Sequence, residues 1–260
     1  MILALEGPHP MQTELTILTG HSRGMGRAMA QQLLVQGHRV LGISRGQAQG
    51  LAPGAGAAGE LIEWQADLAD GAEVARRLQS WLEGQADPAW RSVTLINNAA
   101  TIPAIVPLSR ARPDDLAQAM RVNLETPMQL CAAFLSATAG WSAQRRILNI
   151  SSGLGRRPMA SQSAYCAAKA GLDHFTRCLA LDEARLPHGA RVCSLAPGVI
   201  DTEMQMQLRG APDADFPDRQ GFEGLHQQGM LTSPELAAER LLAFLARPDF
   251  GQQPVADVRA

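Results

Sequence analysis

Leu15-Thr16-Ile17-Leu18-Thr19-Gly20-His21-Ser22-Arg23-Gly24-Met25-Gly26 carries a short apolar run straight into three spaced glycines, and a helical pattern over Arg27–Gln36 follows at once. Glycine lets a backbone turn tightly and come close to a pyrophosphate, and the start of the next helix aims unpaired N–H groups and a positive dipole end at the same place. Glycines alone say little. Between a first strand and a first helix they mark a dinucleotide-binding turn, with Gly20, Ser22, Arg23, Gly24, Met25 and Gly26 as candidate cofactor residues.

Outward from that turn, short β-branched runs alternate with longer helical patterns. Val40–Ile43, Leu61–Trp64, Val93–Ile96, Arg146–Ile150 and Ala190–Leu195 read as strands, with a last short one near Pro254–Asp257. Val74–Leu82, Leu116–Phe134, Ala164–Ala184 and Pro234–Leu245 read as helices, the last opened by the Ser233-Pro234-Glu235 cap. This alternation predicts an α/β fold, a Rossmann-type doubly wound parallel sheet of about seven strands flanked by helices. No repeat or composition shift divides the chain, so residues 13–260 are expected to form one domain behind a tail at 1–12. Ala52–Gly59, all small residues and proline apart from the glycines, is expected to be a surface loop.

Basic and acidic residues nearly cancel, 23 against 25, leaving a net charge of -2 and no field to hold nucleic acid or an anionic membrane. A small molecule is the expected partner. Cys131, Cys166, Cys178 and Cys193 form no C-x-x-C pair, and the apolar opening Met1–Leu5 lacks a basic flank and meets Glu6-Gly7-Pro8 too soon for an export or membrane segment. A cytoplasmic protein is expected. The six histidines show no metal-ligand spacing, so no metal is expected.

An NAD site normally ends its second strand with a carboxylate for the ribose hydroxyl. Here the place reads Ile43-Ser44-Arg45, and no Asp or Glu occurs between Glu14 and Glu60. Arg23 and Arg45 instead offer charge to a 2′-phosphate, so NADPH is expected over NADH. Further along, Tyr165 and Lys169 fall one helical turn apart on one face, and Ser152 lies just past a strand, at the edge where open α/β sheets bind ligands. A phenol ionises near pKa 10, and a nearby cation is expected to lower that value toward the working pH of a general acid. Tyr165 is the only tyrosine, so a tyrosine-based mechanism must use it.

In order along the chain, Thr19-Gly20-x-x-x-Gly24-x-Gly26, Asp67-Leu68, Asn97-Asn98-Ala99, Asn123, Ser152, Tyr165-x-x-x-Lys169 and Pro197-Gly198 with Thr202 resemble the short-chain dehydrogenase/reductase family from about residue 13 onward. The resemblance implies a strand order 3-2-1-4-5-6-7. It implies that Asp67 and Leu68 meet the adenine, that Asn97, Asn98, Ala99 and Ala100 line the cofactor, and that Pro197, Gly198, Ile200 and Thr202 hold the nicotinamide end. Asn123 would hold a water relaying protons toward Lys169, Ser152 would bind the substrate carbonyl, Tyr165 would protonate it, and Lys169 would also grip the ribose. Ala100 replaces the family's usual glycine and adds a methyl group beside the cofactor.

The C-terminal third, Ala196–Gln205 with Gly221–Leu231, Asp249-Phe250 and Val255-Ala256-Asp257, is most similar to the sepiapterin reductase and bacterial benzil reductase branch. That likeness makes Asp257 a candidate substrate anchor and a vicinal dicarbonyl the expected substrate class. Met204 is a candidate substrate contact, and Arg209–Met230 reads as an irregular segment able to act as a lid. Relatives pair through the helices equivalent to Pro113–Ala139 and Ala164–Ala184, so a homodimer or homotetramer is expected. The reading is thus an NADPH-dependent carbonyl reductase. Its competitors are a noncatalytic NADPH-binding sensor, which a damaged catalytic set would favour, and an NAD-linked alcohol dehydrogenase, which the missing ribose carboxylate opposes.

Overall fold

A computed structural model describes residues 13–52, 59–85 and 90–259. The expected tail at 1–12 and most of the expected loop at Ala52–Gly59 lie outside these residues. Seven parallel strands form one sheet: β1 (Thr13–Thr19), β2 (Arg39–Ser44), β3 (Glu60–Gln65), β4 (Trp90–Asn97), β5 (Gln144–Ile150), β6 (Arg191–Ala196) and β7 (Val255–Asp257). Their spatial order is β3-β2-β1-β4-β5-β6-β7, as the family resemblance implied.

Helices cover both faces because alternate strand side chains point opposite ways and both sets are apolar. Leu15 and Ile17 of β1 pack with Leu41, Leu78, Leu82 and Phe134 under α2 (Gly71–Glu83) and α4 (Thr126–Ala137). Leu18 packs the other way, with Met29, Leu33, Leu241 and Leu245, under α1 (Gly24–Val35) and α8 (Pro234–Ala246). The strand order reverses between β1 and β4, so the loops leaving their C-terminal ends part there and open a crevice.

Two expected elements differ. The single helix expected over Leu116–Phe134 is divided into α3 (Pro113–Met120) and α4 by a π-helical turn, Arg121–Glu125. Pro127 has no N–H to give to the carbonyl four residues back, which is that of Asn123, so a regular helix cannot continue through this point. Arg209–Met230, expected to be irregular, contains most of a helical pair. α6 (Glu203–Gly210) and α7 (Arg219–Gln227) follow one another, tied down by the fully buried Phe216 between them. The long α5 (Ser163–Glu183) completes the set. Among the described residues no helix is long and apolar enough to cross a membrane.

Candidate active site

The glycine turn leaves its backbone open to close approach. Gly20 and Gly24 take left-handed φ of 73° and 51°. A Cβ on Gly26 would lie 2.0 Å from the Gly20 carbonyl oxygen, so only glycine lets α1 start this close to β1. Asn98, at the end of β4, holds the turn from the side. Its Nδ2 donates to the Thr19 carbonyl at 2.9 Å and to the Gly20 carbonyl at 3.3 Å. Thr19 Oγ1 in return accepts from the Asn98 and Ala99 backbone N–H groups. This cradle fits a pyrophosphate, and Asn98 acts on it by fixing its shape.

His21, fully buried beneath the turn, is a residue the sequence reading passed over. Its Nε2 lies 2.8 Å from Glu63 Oε1, which also accepts from the Ala48 N–H at 2.8 Å. The imidazole occupies the space left by Gly42, where a Cβ would meet the ring at 2.4 Å. Burial opposes ionisation of Glu63, but the hydrogen bonds from Ala48 and His21 outweigh it and hold the carboxyl below its usual range. This carboxylate therefore serves the scaffold. The signal for it was legible as a histidine inside the glycine motif opposite a glycine on β2.

Of the residues expected at the adenine end, Arg45 and Asp67 line one shallow cleft with Gln65 and Ala66. Arg45 is exposed and makes no ion pair with any described residue. Asp67 Oδ1 accepts from the Ala69 N–H at 2.9 Å, and Leu68 is buried behind it. Ser44 is engaged otherwise: its hydroxyl donates to the Gly46 carbonyl at 2.6 Å and shapes the loop. Arg23 pairs with Glu203 at the start of α6, so its guanidinium spans the mouth of the crevice.

The expected catalytic residues converge at the far side of the crevice. Tyr165, 6% exposed, lies beside Ser152, whose Oγ accepts from the Leu154 N–H at 3.1 Å. Lys169 Nζ lies 5.7 Å from the phenol ring centroid and donates to the Ile150 carbonyl at 2.8 Å. The pKa displacement runs opposite to the sequence expectation. Burial pushes Tyr165 up to about 12, with the Ser152 hydroxyl opposing it. Burial also pulls Lys169 down to about 8, with Asp173 opposing that. Both charged forms are disfavoured because both groups are buried away from water.

Asn123 is fully buried in the π-helical turn, and its amide brackets Thr101: Oδ1 accepts from the Thr101 N–H at 2.9 Å and Nδ2 donates to the Thr101 carbonyl at 2.7 Å. Its side chain is thus committed to the loop after β4. Asn97 takes part in a buried chain, donating to Asn149 at 2.9 Å, which donates to Thr176 on α5 at 2.9 Å. That chain ties the middle of the sheet to the helix bearing Tyr165.

Beyond β6, Gly198 has φ of 86°, Ile200 is buried, and Thr202 begins α6. Met204 is half-buried on α6. Asp257 accepts from the Arg259 guanidinium at 2.8 Å on each carboxylate oxygen, a pairing that holds its carboxyl below the usual range. The expected substrate anchor is therefore already satisfied within the chain. Leu154, Cys166, Met159, Phe216 and Phe222 cluster beside Tyr165 and give this side an apolar wall.

A parallel sheet with a glycine cradle at its switch point, and a buried Tyr–Lys pair beside Ser152 beyond it, defines a nicotinamide-dependent oxidoreductase. The sequence profile described as short chain dehydrogenase matches residues 14–213, and the chain belongs to that family. It is 34% identical over 240 residues to a benzil reductase ((S)-benzoin forming) of Bacillus cereus, covering 92% of this chain and 96% of the relative. A sepiapterin reductase of Xenopus laevis is 31% identical over 242 residues, with 89% and 90% covered. The solved structure of a metagenomic short-chain oxidoreductase in complex with NADP is 25% identical, with a TM-score of 0.68 over 96% of this chain and 97% of the other.

Proposed function

We propose that the protein is a carbonyl reductase that uses NADPH to reduce a ketone or vicinal dicarbonyl, with Tyr165 as proton donor. The observation that carries this reading is the buried Tyr165, beside the Ser152 hydroxyl and followed one turn later by Lys169, at the end of a cradle shaped for a pyrophosphate. The similarity to benzil and sepiapterin reductases supports the substrate class, and the NADP-bound relative and the exposed Arg45 support the cofactor.

Bound NADPH would supply the hydride. Ser152 donates a hydrogen bond to the substrate carbonyl oxygen, which orients it and stabilises charge developing there. Tyr165, fully protonated at neutral pH because burial raises its pKa to about 12, gives its proton to that oxygen. Lys169 lies where its positive charge steadies the phenolate left behind, and the apolar wall of Leu154, Phe216 and Phe222 excludes water from the reacting face. Arg45 holds the 2′-phosphate, with Arg23 available to it once released from Glu203.

The test is NADPH oxidation by the purified protein across diketones, pterins, quinones and simple ketones, beside the Tyr165→Phe variant. Turnover is expected with dicarbonyls, falling at least ~1,000-fold in the variant, as expected where the general acid is lost and its neighbours cannot replace it. Cofactor binding with no turnover of any carbonyl, or turnover indifferent to Tyr165, would overturn the reading.

A further inference from the structure

Asp173 sits one helical turn beyond Lys169 on α5 and is 1% exposed. A carboxylate so placed is costly unless its surroundings compensate it, and the compensation here comes from the elements that carry the site. Its Oδ1 accepts from Ser151 Oγ at 2.5 Å and from Ser194 Oγ at 2.7 Å. Ser151 follows the last residue of β5 and immediately precedes Ser152, and Ser194 lies on β6. Oδ2 is buried without a hydrogen-bond partner, with Arg156 Nε 3.7 Å away. The turn that follows Ser152 packs so closely here that a Cβ on Gly155 would stand 3.0 Å from this oxygen.

Resting on the reductase reading above, we infer that Asp173 is a positioning residue for the reaction: through Ser151 it fixes where Ser152 stands, and its carboxylate sets a negative charge one helical turn from the Lys169 ammonium. The three residues Tyr165, Lys169 and Asp173 repeat every four positions along one face of α5, so phenol, ammonium and carboxylate form a column running from the crevice into the sheet. Position and charge belong to the same side chain. The groups facing it are Lys169 on its own helix, Arg156 in the turn after β5 and the Cys193 thiol on β6, with the Asp257–Arg259 pair of β7 acting through Arg156. α3 and the π-helical turn also pack on α5; of their charged residues Asp114, Arg121 and Glu125 are exposed and Asp115 is half-buried.

Removing a negative charge makes proton loss easier for every neighbouring acid. Without the Asp173 carboxylate, Lys169 deprotonates at lower pH. Because Tyr165 keeps its proton well above neutrality and the protonated Lys169 supports the phenolate, the basic limb of kcat/KM follows Lys169 and must move toward lower pH. Asp173→Asn keeps an oxygen for both serines and removes only the charge. It is expected to shift that limb down by about one unit, a Coulombic effect of ordinary size for a buried neighbour. Ser194→Ala, which retains the charge, is expected to leave the limb where it is. Ser151→Ala is expected to lower kcat about tenfold, the usual scale for a slightly misplaced catalytic hydroxyl, with the KM for NADPH unchanged.

A merely structural role would lower Tm and rate in all three variants and leave the limb unmoved, and an Asp173→Asn limb coincident with wild type overturns the inference. If Asp173→Asn does not fold, a wild-type kcat in Ser151→Ala overturns it instead. Failure of the reductase reading is recognised separately, by turnover that Tyr165→Phe does not abolish. Since Tyr165 is the only tyrosine and Lys169 Nζ lies 5.7 Å from its ring, NMR titration of an isotope-labelled tyrosine ring carbon in the NADP+ complex reports loss of the Lys169 charge without any turnover, and the same downward shift in Asp173→Asn is expected there.

Discussion

Tyr165 and Lys169 have pKa values displaced in opposite directions, to about 12 and about 8, by one cause, their burial on α5. The phenol alone would hold its proton across the whole working range, so the pH dependence of reduction falls to the lysine. Its protonated form supports the phenolate, and that form is lost as pH rises through about 8. The rate of carbonyl reduction is therefore expected to be level near neutrality and to fall above pH 8, measured as kcat/KM with saturating NADPH; a rate rising through that range would contradict the assignment. Arg45 bears the other prediction at this scale. A charge-assisted hydrogen bond is worth about 1.5–3 kcal/mol, so Arg45→Ala should lower the NADPH-to-NADH preference about ten- to hundredfold. An unchanged ratio would make Arg45 a solvated charge. Residue types and spacing made Tyr165, Lys169, Ser152 and the glycines legible from sequence. What each polar side chain bonds to was not legible: Asn123 spends its amide on Thr101 and Asp257 its carboxylate on Arg259, choices set by packing and by residues two or more positions away.

Among the elements, the segment after β6 departs most from its sequence. Pro212, Pro217, Gly221 and Gly224 argue against a helix, and each glycine in a helix costs about 1 kcal/mol. Tertiary packing overrides that. Phe216 is fully buried, stacks at 5.6 Å on Phe222, and draws α6 and α7 onto the loops after β4 and β5. Asp215 beside it pairs with Arg110 and gives its carbonyl to Ser161, whose left-handed φ of 59° shapes the approach to Tyr165. α7 itself buries no residue fully. The pair is thus pinned between its helices by Phe216, and beyond α7 Thr232 bridges back to Ile200. Phe216→Ala removes the pin and should loosen the segment by about 3–5 kcal/mol, the usual cost of emptying a phenylalanine site. Limited proteolysis should then cut between Leu208 and Met230 well before the rest of the chain, and the substrate KM should rise more than kcat falls. Equal cleavage rates in both proteins would show that the helical pair is held elsewhere.

Across the whole molecule, function and stability occupy opposite edges of the sheet. The strands end in the cradle and the Ser152 turn, while Glu14, at the start of β1, binds the elements together at the other edge. It meets His38 before β2 at 2.6 Å and Arg91 of β4, and His38 also contacts Thr16 at 3.2 Å. The His38 hydrogen bond, opposed by burial and reinforced by Arg91, lowers the Glu14 pKa from 4.5 to about 2. A carboxylate whose folded pKa is depressed contributes stability that is complete above its unfolded value and is lost as pH falls toward its folded one. The contribution is therefore present at neutral pH and disappears between about 4.5 and 2. After allowance for solvent screening of a partly exposed group it amounts to about 2 kcal/mol. Glu14→Gln should be less stable than wild type by that amount in urea at pH 7, and the two unfolding curves should converge near pH 2. Because the substitution lies at the far edge from Tyr165, kcat at pH 7 should not change. A gap that persists at the lowest pH would mean that Glu14 acts through packing, and a fall in kcat would mean that the two edges of the sheet are coupled through β1.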